Sequence, residues 1–234
     1  MSKPIIFSAT MVRALLDGRK TQTRRIVKPA FGKKHPIVNL AEHGMPQVNY
    51  SGRFNDPDSW GYPYAEDGND MALSWWLDLC PYGGKGDLLW VRENFQPILR
   101  NDWHDWKNPD GSGDQANYLT GEGYVPVYTA DGGAVEFINS DDELSTRVWP
   151  SIHMPRWASR LTLRITEVRV ERLNEISIRD SLAEGITHST MACPRVEYQH
   201  LWESINGEGS WDANPWVWAL TFEVIKENVD QVRK

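Results

Sequence analysis

The stretch LTLRITEVRVERL, residues 161–173, alternates apolar and polar residues and then changes step. Leu161, Leu163 and Ile165 share one parity, and Val168 and Val170 take the other. Side chains of a strand alternate faces with a period of two, so a parity change means the buried side switches part-way along. A β-bulge or the corner of a barrel makes such a switch. The closing segment WVWALTFEVI reads as a second strand of this kind, with Trp216, Trp218, Leu220, Phe222 and Val224 on one side. Shorter strand-like runs appear at KPIIF, TQTRRIV, GDLLWVRENF and YVPVYTA.

Three helices punctuate these runs. Residues 8–16 form the first: Ser8 can cap it, Met11, Val12, Leu15 and Leu16 make its apolar side, and Gly18 stands where a left-handed residue is wanted. SIRDSLAEGI opens with a Ser177–Asp180 variant of the capping box, should bury Ile178 and Leu182, and ends at Gly185. VEYQHLWESING places Tyr198, Leu201, Trp202 and Ile205 on one face and stops at Gly207. Residues of about 29–85 and 99–148 are rich in Gly, Pro, Asn and Asp without a sustained period, and read as long loop insertions. One short helix at MALSWWLDL is expected inside the first. The sum is an α+β chain: a single domain over residues 1–234, built as a small β-barrel with short helices packed at its ends.

Charge is unevenly spread. Residues 1–36 hold nine Lys/Arg against Asp17 alone, an excess of +8, so a chain of net charge −7 carries −15 elsewhere. Coating a long duplex needs a broad positive face, which this distribution lacks. A local basic mouth on an acidic body suits a compact anionic ligand or a few nucleotides. The basic run GRKTQTRRIVKP contributes Arg19, Lys20, Arg24 and Arg25 to that mouth.

Several chemistries are disfavoured. Cys80 and Cys193 are far apart with no CxxC, which suits reduced thiols in a cytoplasmic protein and not zinc. No apolar run approaches the ~20 residues of a membrane span, and no leader is read at the N-terminus. GGKGDLL lacks the spacing and the Ser/Thr of a phosphate loop, and Asp102, His104, Asp105, Asp110 and Asp114 lack the order of calcium ligands. No cofactor or metal is expected. PSIHMPRWASR is more suggestive: His153, Arg156 and Arg160 surround Trp157 and could grip phosphate beside a stacked base. The plain alternative is a rigid turn fixed by Pro150 and Pro155, with Trp157 plugging one end of the barrel.

LLDGRKTQTRRIV, GDLLWVRENF, WPSIHMPRWASRLTLRITEVRVERLNEISIRDSLAEGI and LWESINGEGSWDANPWVWALTFEVI together resemble the ASCH-domain family. They are most similar to its long phage and prophage members, sometimes labelled morphogenetic proteins. The resemblance covers both ends of the chain. It implies a PUA-like barrel, a fold associated with RNA and modified-nucleoside recognition, and an intracellular setting in a bacterial host. One branch of the family comprises small acetylcytidine amidohydrolases. The similarity to that branch puts its lysine on Lys20, its threonine on Thr23 and its glutamate on Glu184. Another branch is proposed to cut single-stranded RNA.

Deacetylating an amide needs an activated nucleophile, a proton donor for the leaving amine and stabilisation of the oxyanion. A desolvated Lys20 beside Arg19, Arg24 and Arg25 could be base or nucleophile, Thr23 could offer its hydroxyl, and Glu184 could hold the lysine or a water. The bland alternative leaves Lys20 and Thr23 as solvated turn and edge-strand residues. Three readings stand side by side. The first is a metal-independent hydrolase acting on an acylated nucleoside or single-stranded RNA. The second is a module that binds RNA or a modified base without chemistry. The third is a phage accessory factor that binds protein through Trp75, Trp76, Trp103 and Trp106 of its insertions.

Overall fold

The computed structural model describes residues 2–27, 37–39, 47–49, 60–61, 80–99, 120–138, 144–187 and 193–232. The MALSWWLDL helix, the four insertion tryptophans and the aspartate-rich run after residue 101 lie outside them. The described chain is mixed α and β, with few helices and mostly sheet. It divides into two compact units, each gathered from separated segments. The first unit contains Met1–Lys20, Asp87–Arg164 and Glu223–Lys234, and the second Thr21–Gly86 and Ile165–Phe222.

In the first unit, β1 (Lys3–Ile6) runs parallel to β6 (Leu88–Arg92). The first residues of β11 (Thr162–Arg172) pair antiparallel with β6 on its other edge. Helix α1 (Ala9–Leu16) is capped by the Ser8 hydroxyl, which accepts from the Met11 N–H at 3.4 Å. Its Met11, Val12, Ala14 and Leu15 are buried, as the apolar spacing requires. Gly18 then takes φ 73°, a left-handed turn that a β-carbon would strain. A two-stranded ribbon of β7 (Phe95–Leu99) and β8 (Tyr124–Tyr128) sets Pro97 opposite Pro126. The sequence reads residues 86–95 as one strand, but the chain breaks at Glu93 and Asn94 and restarts as β7. A smaller ribbon joins β9 (Phe137–Ile138) to β10 (Leu144–Ser145). Phe95, Met154 and Ala158 form a core here, with Tyr128, Trp149 and Trp157 packed against it. Trp157 lies flat on the Gly121 backbone, where a β-carbon would come within 2.4 Å of the indole.

In the second unit, the rest of β11 neighbours β12 (Trp216–Ile225), and β12 pairs antiparallel with β2 (Gln22–Ile26). A three-stranded sheet holds β3 (Ile37–Asn39), β4 (Gln47–Asn49) and β5 (Trp60–Gly61). Helix α2 (Ile178–Ala183) begins at Ser177, whose hydroxyl accepts from the Asp180 N–H at 3.0 Å. Helix α3 (Pro194–Asn206) ends at Gly207. Tyr198 and Trp202 from α3 join Leu173, Ile176, Ile186, Trp211 and Val217 in one apolar cluster.

Burial along β11 follows the parity change in part: Leu163 and Ile165 are buried, then Val168, while Val170 is half-buried and Thr162, of the other parity, is buried too. Two helix faces differ from expectation. Ile178 and Leu182 are 55% and 39% exposed, because α2 turns Ser181 and the adjoining Glu184 inward instead. Ile205 is exposed as well, since it sits in the last turn of α3, beyond the cluster that holds Tyr198 and Trp202. Among the described residues no strand pairing closes either unit's sheet on itself, and no helix is long and apolar enough to cross a membrane.

Candidate functional site

The basic run near the N-terminus is largely inside the protein. Lys20, Gln22, Thr23 and Arg24 are 2–7% exposed, whereas Arg19 stays on the surface and pairs with Asp17 at 2.9 Å. Lys20 ends the first unit: its N–H donates to the Ala14 carbonyl at 3.0 Å, and its ammonium lies 5.5 Å from the Phe7 ring centroid. The solvated-turn reading of Lys20 is therefore wrong.

The second unit gathers the densest set of charges. Residues directly opposite on paired strands share a face, so Arg24 lies beside Ala219, and Ile26 beside Val217. Gln22, Arg24 and Ile26 point one way and Thr23 and Arg25 the other. On the first face α2 brings its carboxylates to β2. Arg24 Nη1 donates to Glu184 Oε1 at 3.0 Å and to Gln22 Oε1 at 3.3 Å. Arg24 Nε and Nη2 donate to Glu171 Oε1 at 2.9 and 2.6 Å. Gln22 Nε2 donates to Asp180 Oδ1 at 2.9 Å, and Arg169 reaches Glu171 at 3.3 Å and Asp180 at 3.4 Å. Just before Glu184, the Ala183 carbonyl accepts from the Thr21 N–H at 2.8 Å, which ties the end of α2 to the entry of β2.

Electrostatics follow from this wiring. Burial works against the charge of Arg24, but Glu184 and Glu171 outweigh it and its pKa is raised. Burial likewise pushes Asp180 up, yet hydrogen bonds from Gln22 and Ser177 and the charges of Arg24 and Arg169 bring it below the usual value. Tyr198 packs 6.2 Å from Trp211 and 6.3 Å from Trp202, ring centre to ring centre. Burial holds its phenol well above the ordinary value, Glu184 adds to this, and Arg24 opposes it. The hydroxyl therefore remains neutral at physiological pH.

The expected constellation is met in part. Glu184 is buried and engaged, but Thr23 does not share its face. Thr23 is paired with Leu220 on the opposite side of β2, because its parity differs from that of Gln22 and Arg24. Arg24, expected on a ligand, has its whole side chain buried against protein carboxylates. Arg25 is half-buried on the Thr23 face and lies near Tyr82, whose phenol is raised by burial against the pull of the Arg25 charge.

The later candidates lie in the first unit. His153 is exposed, at the end of a short turn Ser151–His153. Arg156 donates to both oxygens of Asp230 and to the Ser2 hydroxyl. Arg160 forks onto Glu93 at 2.9 and 3.0 Å, reaches Asp131 at 2.7 Å and stacks 3.9 Å above the Tyr128 ring. Glu93 is 1% exposed; burial raises its pKa, and Arg160 opposes the shift. Tyr128 is pushed up to about 12, chiefly by burial. The two arginines expected to grip phosphate thus serve buried or neighbouring carboxylates. Sequence reasoning missed Glu171, Asp180 as an acceptor, and Glu93. The one available signal was the shared parity of Gln22 and Arg24, which marks a polar face on β2.

No family model matches the chain, nor does any curated protein or solved structure compared with it.

Proposed function

We propose that this chain is an ASCH-type, PUA-like protein that recognises a nucleobase-bearing ligand and hydrolyses the acyl amide of an acetylcytidine-type nucleoside. The observation that most supports the reading is the burial of Lys20 and Thr23, two of the residues that the resemblance picks out. Lysine is almost never fully buried unless its charge is compensated, and withdrawing an ammonium from water costs several kcal/mol. In the reaction, water adds to the acyl carbon, the C–N bond breaks, and the amine leaves with a proton, giving acetate and the free nucleoside. Lys20 and Thr23, three residues apart in the chain, enter this scheme through the resemblance. Glu184, on the other face from Thr23 and bound by Arg24, acts as a positioning residue: it steadies the end of α2, to which Thr21 is tied.

A second reading, binding without chemistry, draws on that same pairing. A carboxylate already held by a buried guanidinium is a poor proton shuttle but a good fixed wall. The test is incubation of the purified protein with a panel of acetylated nucleosides and short single-stranded RNAs, with products followed by chromatography and binding by calorimetry. Deacetylation that disappears in Lys20→Ala and Thr23→Ala supports the hydrolase. Binding that survives Lys20→Ala, with no turnover in the wild type, selects the second reading. Neither binding nor turnover ends both.

A further inference from the structure

The turn that follows β10 in the first unit displays a cation, an aromatic ring, an imidazole and an exposed aliphatic side chain on a fixed frame. Trp149 exchanges both backbone hydrogen bonds with Phe95, at 2.8 and 3.2 Å, so its position is set by the start of β7. The Ser151 N–H donates to Asn94 Oδ1 at 2.9 Å, and the His153 N–H to the Pro150 carbonyl at 2.9 Å. From the strand behind, Arg92 donates to the Met154 carbonyl at 3.0 Å and also to the Ile152 carbonyl. The backbone from Trp149 to Met154 is thereby held by β6, by β7, by Asn94 between them and by the turn itself.

What this frame holds outward is not what a structural turn needs. Ile152 is 59% exposed. The Arg147 guanidinium stands 5.5 Å from the centre of the half-buried Trp149 ring. The His153 ring meets the same indole edge-on at 6.5 Å. Arg147 makes no ion pair among the described residues, in contrast to Arg156 and Arg160, which do. A guanidinium over an indole, beside an imidazole and a bare isoleucine, matches a ligand that is anionic and carries flat apolar rings. Unpaired nucleotides have both properties: a phosphate for Arg147, whose guanidinium the Trp149 indole backs, and base faces for Ile152 and His153.

We propose that Arg147, Trp149, Ile152 and His153 form a contact surface for single-stranded nucleic acid. The inference extends the nucleobase reading above but does not depend on hydrolysis, because a mononucleoside has no phosphate to give Arg147. The test measures fluorescence anisotropy of labelled ten-nucleotide oligo(rU) and oligo(dT), and of a ten-base-pair RNA duplex, across a salt series. Because Trp149 packs on the core, the variants are the exposed Arg147→Glu and Ile152→Ser. Both single strands should bind more tightly than the duplex, since only unpaired bases offer their faces. Arg147→Glu should weaken binding about tenfold and lower the salt slope by about one. Ile152→Ser should weaken binding without changing the slope. Equal binding by wild type and both variants, tighter binding to the duplex, or no single-strand binding at all would overturn the proposal. Each of those results leaves the deacetylation assay able to succeed. Conversely, single-strand binding lost in Arg147→Glu with no deacetylase activity upholds this surface and rejects the hydrolase.

Discussion

Replacing Arg24 with methionine removes the centre of the charge network in the second unit and keeps an aliphatic side chain in its place. The loss is unequal among its partners. Glu171 and Asp180 are 16% and 20% exposed at their side chains and retain Arg169 at 3.3 and 3.4 Å, so water and a second guanidinium compensate them. Glu184 is 4% exposed and loses a guanidinium 3.0 Å away. Breaking a buried pair from one side costs about 3–5 kcal/mol, largely through the charge left behind. Because neighbouring groups share the compensation, Arg24→Met should lose about 3 kcal/mol, the low end of that range. Replacing the whole pair by apolar groups of similar volume is often neutral, so Arg24→Met with Glu184→Met should recover most of that loss. The assay is a double-mutant cycle in urea followed by circular dichroism, with a coupling of about 2 kcal/mol expected between the two positions. A single variant within about 0.5 kcal/mol of wild type, or a double variant no more stable than the single, would refute the claim that Arg24 holds Glu184 in place.

Arg160→Lys should destabilise the first unit by about 2–3 kcal/mol, seen as a lower thermal midpoint, because an ammonium cannot fork onto the buried Glu93. An unchanged midpoint would mean that the fork contributes little. Asp180→Asn tests the acid limb. A carboxyl held below its usual value stabilises the fold fully above the unfolded pKa of about 3.9, and that contribution vanishes as pH falls through the folded value. The variant should therefore be about 1 kcal/mol less stable at pH 7, and in urea titrations the gap should close as pH falls through the lowered folded value. A gap that persists in acid would assign the loss to packing.

The elements themselves were readable because each depends on local chemistry. Ser8 caps α1 and Gly18 ends it; Ser177 caps α2; the alternating run from 216 to 225 is one strand. The parity change after Ile165 was readable for the same reason, since burial follows side-chain direction along a single strand. What could not be read was partnership. Nothing in KPIIF says that it runs parallel to β6, because that register is set by residues more than eighty positions away. The buried side of α2 was misjudged on a related ground. Ile178 and Leu182 are the apolar residues of the helix, but the surface it meets presents Gln22 and Arg24, and a polar surface selects Ser181 and Glu184 instead.

The same reasoning explains why the candidate site was only half legible. A basic run on an acidic chain advertises that charge is wanted there, and the burial of Lys20 and Arg24 agrees. Sequence gives the charge but not the counter-charge, and in this protein the counter-charges decide each arginine's role. Arg24, Arg156 and Arg160 each meet a carboxylate from a distant segment, deeply buried for Arg24 and exposed for Arg156. Arg147, which had no motif to recommend it, meets none among the described residues and is left over an indole at the surface. A cation's availability is thus a property of its partners, so ligand contacts in an acidic protein belong at the arginines that the fold has not already paired.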